Sequence, residues 1–245
     1  MSIQAVIFDV GNTLVNEYEG WQELEQKGVD QLIETMGGLG INLDKTSFSR
    51  TILRLREESF REARETHMEI SANDCFIKAL KEAGIGDFTT ELINRGVEAY
   101  FHPQEVQSSL LPGVPETLRA LAYNGFQLGI ISNATSSLSI RRVLENHGIL
   151  HWFHSVIISA DVEYRKPRPE IFEIALKSLG IEPNQAVYVG NSIEDDIIGA
   201  KAAGIHSILL KPEKTPLEID TNIEPEFIAR DIQEVVAIVK KIVTL

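Results

Sequence analysis

The chain has 245 residues, 43% of them hydrophobic and 24% charged, which is the make-up of an ordinary folded protein without the bias of disorder. Its 36 acidic residues against 23 basic ones leave a formal charge of −13, which argues against a nucleic-acid backbone or an anionic membrane as partner and favours cations. The single cysteine, Cys75, rules out an intrachain disulfide and reads as a small core residue.

The first element is the apolar run Ala5-Val6-Ile7-Phe8, which ends in a lone carboxylate, Asp9, followed by Val10-Gly11-Asn12-Thr13-Leu14-Val15. A short run of this kind, bounded by Gly and Asn, reads as a strand buried on both faces in a parallel sheet. Asp9 then stands at the carboxyl end, where open α/β sheets bind ligands; an Asp that merely caps the turn is the plainer alternative. From Asn16 to about Leu110 helical periodicity takes over. The spacing predicts helices over Trp21–Met36, Lys45–Thr66, Ser71–Ala83 and Thr89–Phe101, broken at Gly37–Gly40, near Glu69 and at Gly84–Gly86. The second of these interleaves Arg50, Arg54, Arg56, Arg61 and Arg64 with Glu57, Glu58, Glu62 and Glu65. That pattern is first a solvated face laced with i,i+4 pairs, and second a grip for an anionic substrate. Trp21 reads as hinge or core packing before it reads as a ligand contact.

From Leu111 strands and helices alternate to the end. Pro112–Pro115 opens a helix to about Tyr123, and Phe126–Ile131 is a second strand ending in Ser132-Asn133. Ser155–Ser159 is a third, followed by Arg165-Lys166-Pro167 and a helix from Glu170 to Leu179. Ala186–Val189, His206–Leu210 and Phe227–Ala229 complete the strands, and Ile232–Val243 is a closing amphipathic helix. The expected architecture is α/β: a three-layer Rossmann-like core with a central parallel sheet, from residues 1–15 and 108–245, plus an inserted all-helical domain at 16–107. Right-handed crossovers place all strand tips on one side, so Asp9, Ser132 and the Asn191–Asp196 loop should meet there. His147, His151 and His154 have metal-like spacing, but Gly148 and the apolar residues among them make core the better reading. No run of about 18 apolar residues and no basic leader occurs, so the expected location is the cytoplasm.

Four segments in this order, Asp9 in FDVGNTL, Ser132 in IISNA, Lys166 in RKPRPEIF and the stretch GNSIEDDIIGAKAAG from Gly190, resemble the haloacid dehalogenase superfamily of hydrolases. The helical insertion is similar to that family's cap domain. The resemblance implies that Asp9 is a nucleophile accepting a phosphoryl group, that Ser132 bonds a transferring oxygen and that Lys166 neutralises charge. It implies substrate contacts at Asn12, Thr13, Ser132, Asn133 and Lys166. It also implies a magnesium ion held by Asp9, the Gly11 carbonyl, Asn191 and Asp196, with a small phosphorylated molecule as partner. Asp195 and Asp196 also suit the N-terminal dipole of their own helix. The sequence leaves the oligomeric state open.

Two departures from the family pattern set the expectations for activity. The second Asp of the phosphatases, two residues after the nucleophile, is Gly11 here, and the Asp that opens the fourth motif is Asn191. Losing a general acid/base costs on the order of 10²- to 10⁴-fold, so a phosphatase with these residues would be slow and would depend steeply on its leaving group. Two other readings stand beside it. A dehalogenase-like hydrolase works without metal and shares Ser132-Asn133, although Gly37–Gly40 occupy the region where that branch places an Arg. A non-catalytic protein would bind a phosphorylated ligand or partner through Lys166 and Ser132.

Overall fold

The computed structural model describes residues 3–16, 20–212 and 224–244. The residues just past the expected boundary at Asn16, 17–19, therefore lie outside the described ones. In chain order the elements are β1 Ala5–Phe8, α1 Trp21–Gly38, α2 Lys45–Thr66, α3 Ala72–Glu82, α4 Thr90–Gln107, α5 Val114–Tyr123 and β2 Gln127–Ser132. There follow α6 Ser137–Asn146, β3 Ser155–Ile158, α7 Ser159–Val162, α8 Pro169–Leu179 and β4 Ala186–Gly190. The chain closes with α9 Ile198–Ala202, β5 His206–Leu210, β6 Phe227–Ala229 and α10 Glu234–Val243.

The strands form one parallel sheet in the order β3-β2-β1-β4-β5-β6. Alternate residues face opposite layers because strand side chains repeat every second residue. Val6 and Phe8 pack with Val114, Leu118, Val143, Val235 and Val239 of α5, α6 and α10. Ala5 and Ile7 pack with Ile171, Phe172 and Ala175 of α8 and Ala200 of α9. β1 is covered on both faces, as its uninterrupted apolar run requires. The chain moves outward in one direction through β2 and β3 and in the other through β4, β5 and β6. Strand order thus reverses between β1 and β4, and the loops leaving these two tips diverge and open a crevice there.

Helices α1–α4 enclose a separate apolar cluster, with Val29, Leu32, Met36, Phe48, Ile52, Leu55, Phe76 and Leu80 at its centre. Asp44, Ser71 and Thr89 cap α2, α3 and α4, each accepting a hydrogen bond from the backbone N–H three residues on. Gly28 of α1 lies so close to the Tyr100 carbonyl of α4 that a side chain there would collide with backbone. α4 outruns its expected end at Phe101 and passes through Pro103 to Gln107. Gln104 and Glu105 are buried, so packing overrides the local break that proline imposes.

Candidate active site

The first loop places the carboxylate. Asp9 N–H donates to the Val189 carbonyl of β4 at 2.9 Å, which carries the sheet register one residue past β1. Asn12 then takes a left-handed conformation, φ 54°, and the chain turns back under Asp9. Lys166 arrives from the loop before α8, and Asn133 clamps its backbone: Lys166 N–H donates to Asn133 Oδ1 at 2.8 Å, and Asn133 Nδ2 donates to the Lys166 carbonyl at 3.1 Å.

Held there, Lys166 uses all three of its N–H donors on protein. Nζ lies 2.7 Å from Asp9 Oδ1, 2.6 Å from Asp196 Oδ1 and 2.9 Å from the Tyr188 hydroxyl. Tyr188 Oη is itself 3.0 Å from Asp196 Oδ1. The other Asp196 oxygen accepts from the Ser192 backbone N–H at 2.9 Å. A π-helical turn, Ile193–Ile197, lowers Asp196 onto the sheet, and only a glycine at 190 leaves room for its carboxylate.

Electrostatics follow from this burial. Asp9 is pushed up to about 6 by burial first and by the negative charge of Asp196, against the pull of Lys166. Burial opposes the charge on Lys166, yet Asp196 and Asp9 outweigh it and hold the ammonium firmly protonated. Burial drives the Tyr188 hydroxyl well above its ordinary range, so it remains a donor. Asp195 is raised by burial, with Lys166 opposing.

The network forms the floor of a cavity of about 450 Å³ whose walls include Gly11, Asn12, Ser132, Asn133, Asn191, Asp195 and Trp21. Of the residues expected at the site, Asp9, Gly11, Asn12, Ser132, Asn133, Lys166, Asn191 and Asp196 all line it. Thr13 does not. It is fully buried beneath Asp9, and its hydroxyl lies 3.4 Å from Asp9 Oδ2 and 3.3 Å from Asn191 Oδ1, so it supports the site from below. At Gly11 a Cβ atom would meet nothing within 4 Å. The three histidines go separate ways: His147 bonds Ser108, His154 accepts from the Leu128 N–H, and His151 packs on Trp152.

Three features escaped the sequence reading. Tyr188 gave one available signal, a phenol inside an apolar strand, because a buried hydroxyl requires a partner. The second is a bridge between the helical layer and the sheet layers. Glu69, between α2 and α3, receives Arg165 Nη1 at 2.6 Å and Ser159 Oγ at 2.5 Å, and all three are largely buried. Backbone bonds from Ala72 N–H to the Thr135 carbonyl and from Arg165 N–H to the His67 carbonyl flank it. The third is Phe60 of α2, 52% exposed beside the same cavity system.

Comparison with known proteins places the chain among relatives of one family. A family model for haloacid dehalogenase-like hydrolases matches residues 3–204. The chain is 33% identical over 216 residues to a glyceraldehyde 3-phosphate phosphatase of Methanopyrus kandleri, covering 86% of this chain and 85% of that protein. It is 30% identical over 164 residues to a phosphoserine phosphatase of Thermus thermophilus, covering 65% of this chain and 61% of that one. Among solved structures, a 2-haloacid dehalogenase from Pseudomonas syringae superposes with a TM-score of 0.74 at 25% identity, over 98% of this chain and 99% of that one. With a parallel sheet ordered in this way and a family model matched over residues 3–204, the chain belongs to the haloacid dehalogenase-like hydrolase family.

Proposed function

We propose that this protein is a phosphatase that acts on a small phosphorylated metabolite through a covalent phosphate on Asp9. The observation that carries the reading is the position of Lys166 Nζ between Asp9 Oδ1 and Asp196 Oδ1, at the floor of a cavity that Ser132 also lines. Asp9 is held in a fixed plane by Lys166 on one oxygen and Thr13 on the other. One of its oxygens bonds to phosphorus while the ester P–O bond breaks and the leaving oxygen keeps the electron pair. Lys166 offsets the charge gathered on the phosphoryl oxygens, and the Ser132 hydroxyl donates to one of them. Water then cleaves the acyl phosphate, which restores the carboxylate and releases inorganic phosphate. The phosphatases among the relatives support this reading over haloacid chemistry.

The donors around Asp9 suit a hard divalent cation. Asp9, the Gly11 carbonyl and Asn191 offer oxygen alone, and the carboxylates of Asp9, Asp195 and Asp196 outnumber the one ammonium among them. Among the described residues no three His, Cys, Asp or Glu side chains converge as a metal cage. Magnesium would therefore be held by Asp9, Gly11 and Asn191, more weakly than by a carboxylate-rich set. Asp196, whose oxygens are taken by Lys166, Tyr188 and Ser192, would act from the outer shell. The ion supplies Lewis-acid neutralisation of the phosphoryl oxygens.

Gly11 contributes no acid to the leaving group, so rates should fall steeply as the leaving group becomes more basic. The test is hydrolysis of 4-nitrophenyl phosphate and of an alkyl phosphate, with magnesium, by wild type, Asp9→Asn and Gly11→Asp. Asp9→Asn should be inert. Gly11→Asp, whose Cβ meets nothing within 4 Å, should raise the alkyl rate on the order of 10²-fold and the aryl rate far less. No hydrolysis of either ester by wild type, Asp9→Asn as active as wild type, or release of chloride from 2-chloropropionate without metal, would overturn the reading.

A further inference from the structure

We propose that the site selects small aryl phosphate monoesters, with Trp21 and Phe60 as the residues that receive the aromatic leaving group; this rests on the phosphatase reading above. Two independent features meet in it. The first is chemical. Position 11 carries no proton donor, and a phenol, with a pKa of about 10, departs unprotonated far more readily than an alcohol. The Asp9 oxygen bonds to phosphorus, the P–O bond to the aryl oxygen breaks, and the phenolate keeps the electron pair until it takes a proton from water.

The second feature is geometric. Trp21, the first residue of α1, is 44% exposed, and it lines both the reactive cavity and an outer hollow of about 630 Å³ against α2. Phe60, exposed on α2, lines that outer hollow and a further one of about 410 Å³. The latter has Arg165, Lys166, Ser192 and Asp195 in common with the reactive cavity. Trp21 thus borders the space that a leaving group on Asp9-bound phosphorus would enter, and Phe60 borders the two hollows that share residues with it. The guanidinium groups of Arg64 and Arg165 lie 5.8 and 5.9 Å from the centre of the Phe60 ring and steady it there. Exposed aromatic surface at the rim of a polar cavity is suited to a flat apolar ligand.

The test compares binding of phenylphosphonate and ethylphosphonate, which cannot be hydrolysed, to the magnesium-supplemented protein by titration calorimetry. Quenching of Trp21 fluorescence in a Trp152→Phe background gives a second readout. Phenylphosphonate should bind at least about tenfold more tightly, and Trp21→Ala and Phe60→Ala should each remove about threefold to tenfold of that preference. Ethylphosphonate binding should fall far less than phenylphosphonate binding in both variants, and Trp21→Phe should retain the preference. Equal affinity for the two phosphonates, or a parallel loss for both in the variants, overturns the assignment. Alkyl turnover as fast as aryl turnover also overturns it, since another group such as Asp195 would then be supplying the proton. A phosphotyrosyl peptide cleaved faster than phenyl phosphate would contradict a small-molecule substrate. Aryl-selective binding without turnover of any ester would sink the phosphatase reading and leave the selectivity standing.

Discussion

The tips of β1 and β4 and the outer face of the helical layer treat charge in opposite ways. At the tips, one lysine is divided among two carboxylates and a phenol, all buried, and each contact fixes another. On the helical layer, Arg54 of α2 pairs with Glu58 and Glu82 at the exposed surface, and Lys27 of α1 and Arg95 of α4 pair with acidic residues one turn away. Buried pairs are costly to break because the survivor is stranded, whereas exposed ones contribute little. The floor of the cavity is therefore tied together contact by contact, while the helical wall presents the partly exposed rings of Trp21 and Phe60.

Glu69 is the place to break this contrast, because it belongs to the helical segment yet is buried like the tip residues. Glu69→Ala strands Arg165 and should lower stability by about 3 kcal/mol, measured by urea unfolding. A loss below about 1 kcal/mol would place the bridge with the surface pairs. Asp9 sharpens the comparison through pH. Its folded pKa, about 6, lies above the 3.8 of the ordinary carboxyl, so the fold favours the protonated form, and that stability is lost as pH rises through 6. The thermal midpoint of wild type in EDTA should therefore fall relative to that of Asp9→Asn as pH rises from about 4 to 6, and the difference between the two should be flat above that range. The smallest effect belongs to α2: Arg54→Ala should leave the urea midpoint almost unchanged, and any difference should shrink further in high salt.

How far the sequence carried depends on the range of the forces involved. Local pattern located β1, the strands from β2 to β6 and α2 within a residue or so, because period-two and period-3.6 burial leave their marks along the chain itself. The end of α4 was not legible, since Pro103 argues for a stop and only the burial of Gln104 and Glu105 overrides it. At the site, Asp9, Ser132 and Lys166 could be anticipated as strand-tip and loop residues. Thr13 could not be assigned correctly, because whether a hydroxyl faces ligand or supports a carboxylate from below depends on the turn at Asn12. The Glu69–Arg165 bridge spans 96 residues and has no local trace at all.

The central claim is that the carboxylate at the end of β1 becomes covalently phosphorylated. The direct measurement is rapid acid quench of the magnesium-supplemented protein during turnover of 4-nitrophenyl phosphate, followed by peptide mass spectrometry. One phosphoryl group should be found on the peptide bearing Asp9, accumulating because Gly11 supplies no base for its hydrolysis, and it should be absent in Asp9→Asn. Turnover at full rate with Asp9 unmodified, or a phosphoryl group on any other residue, would contradict the account.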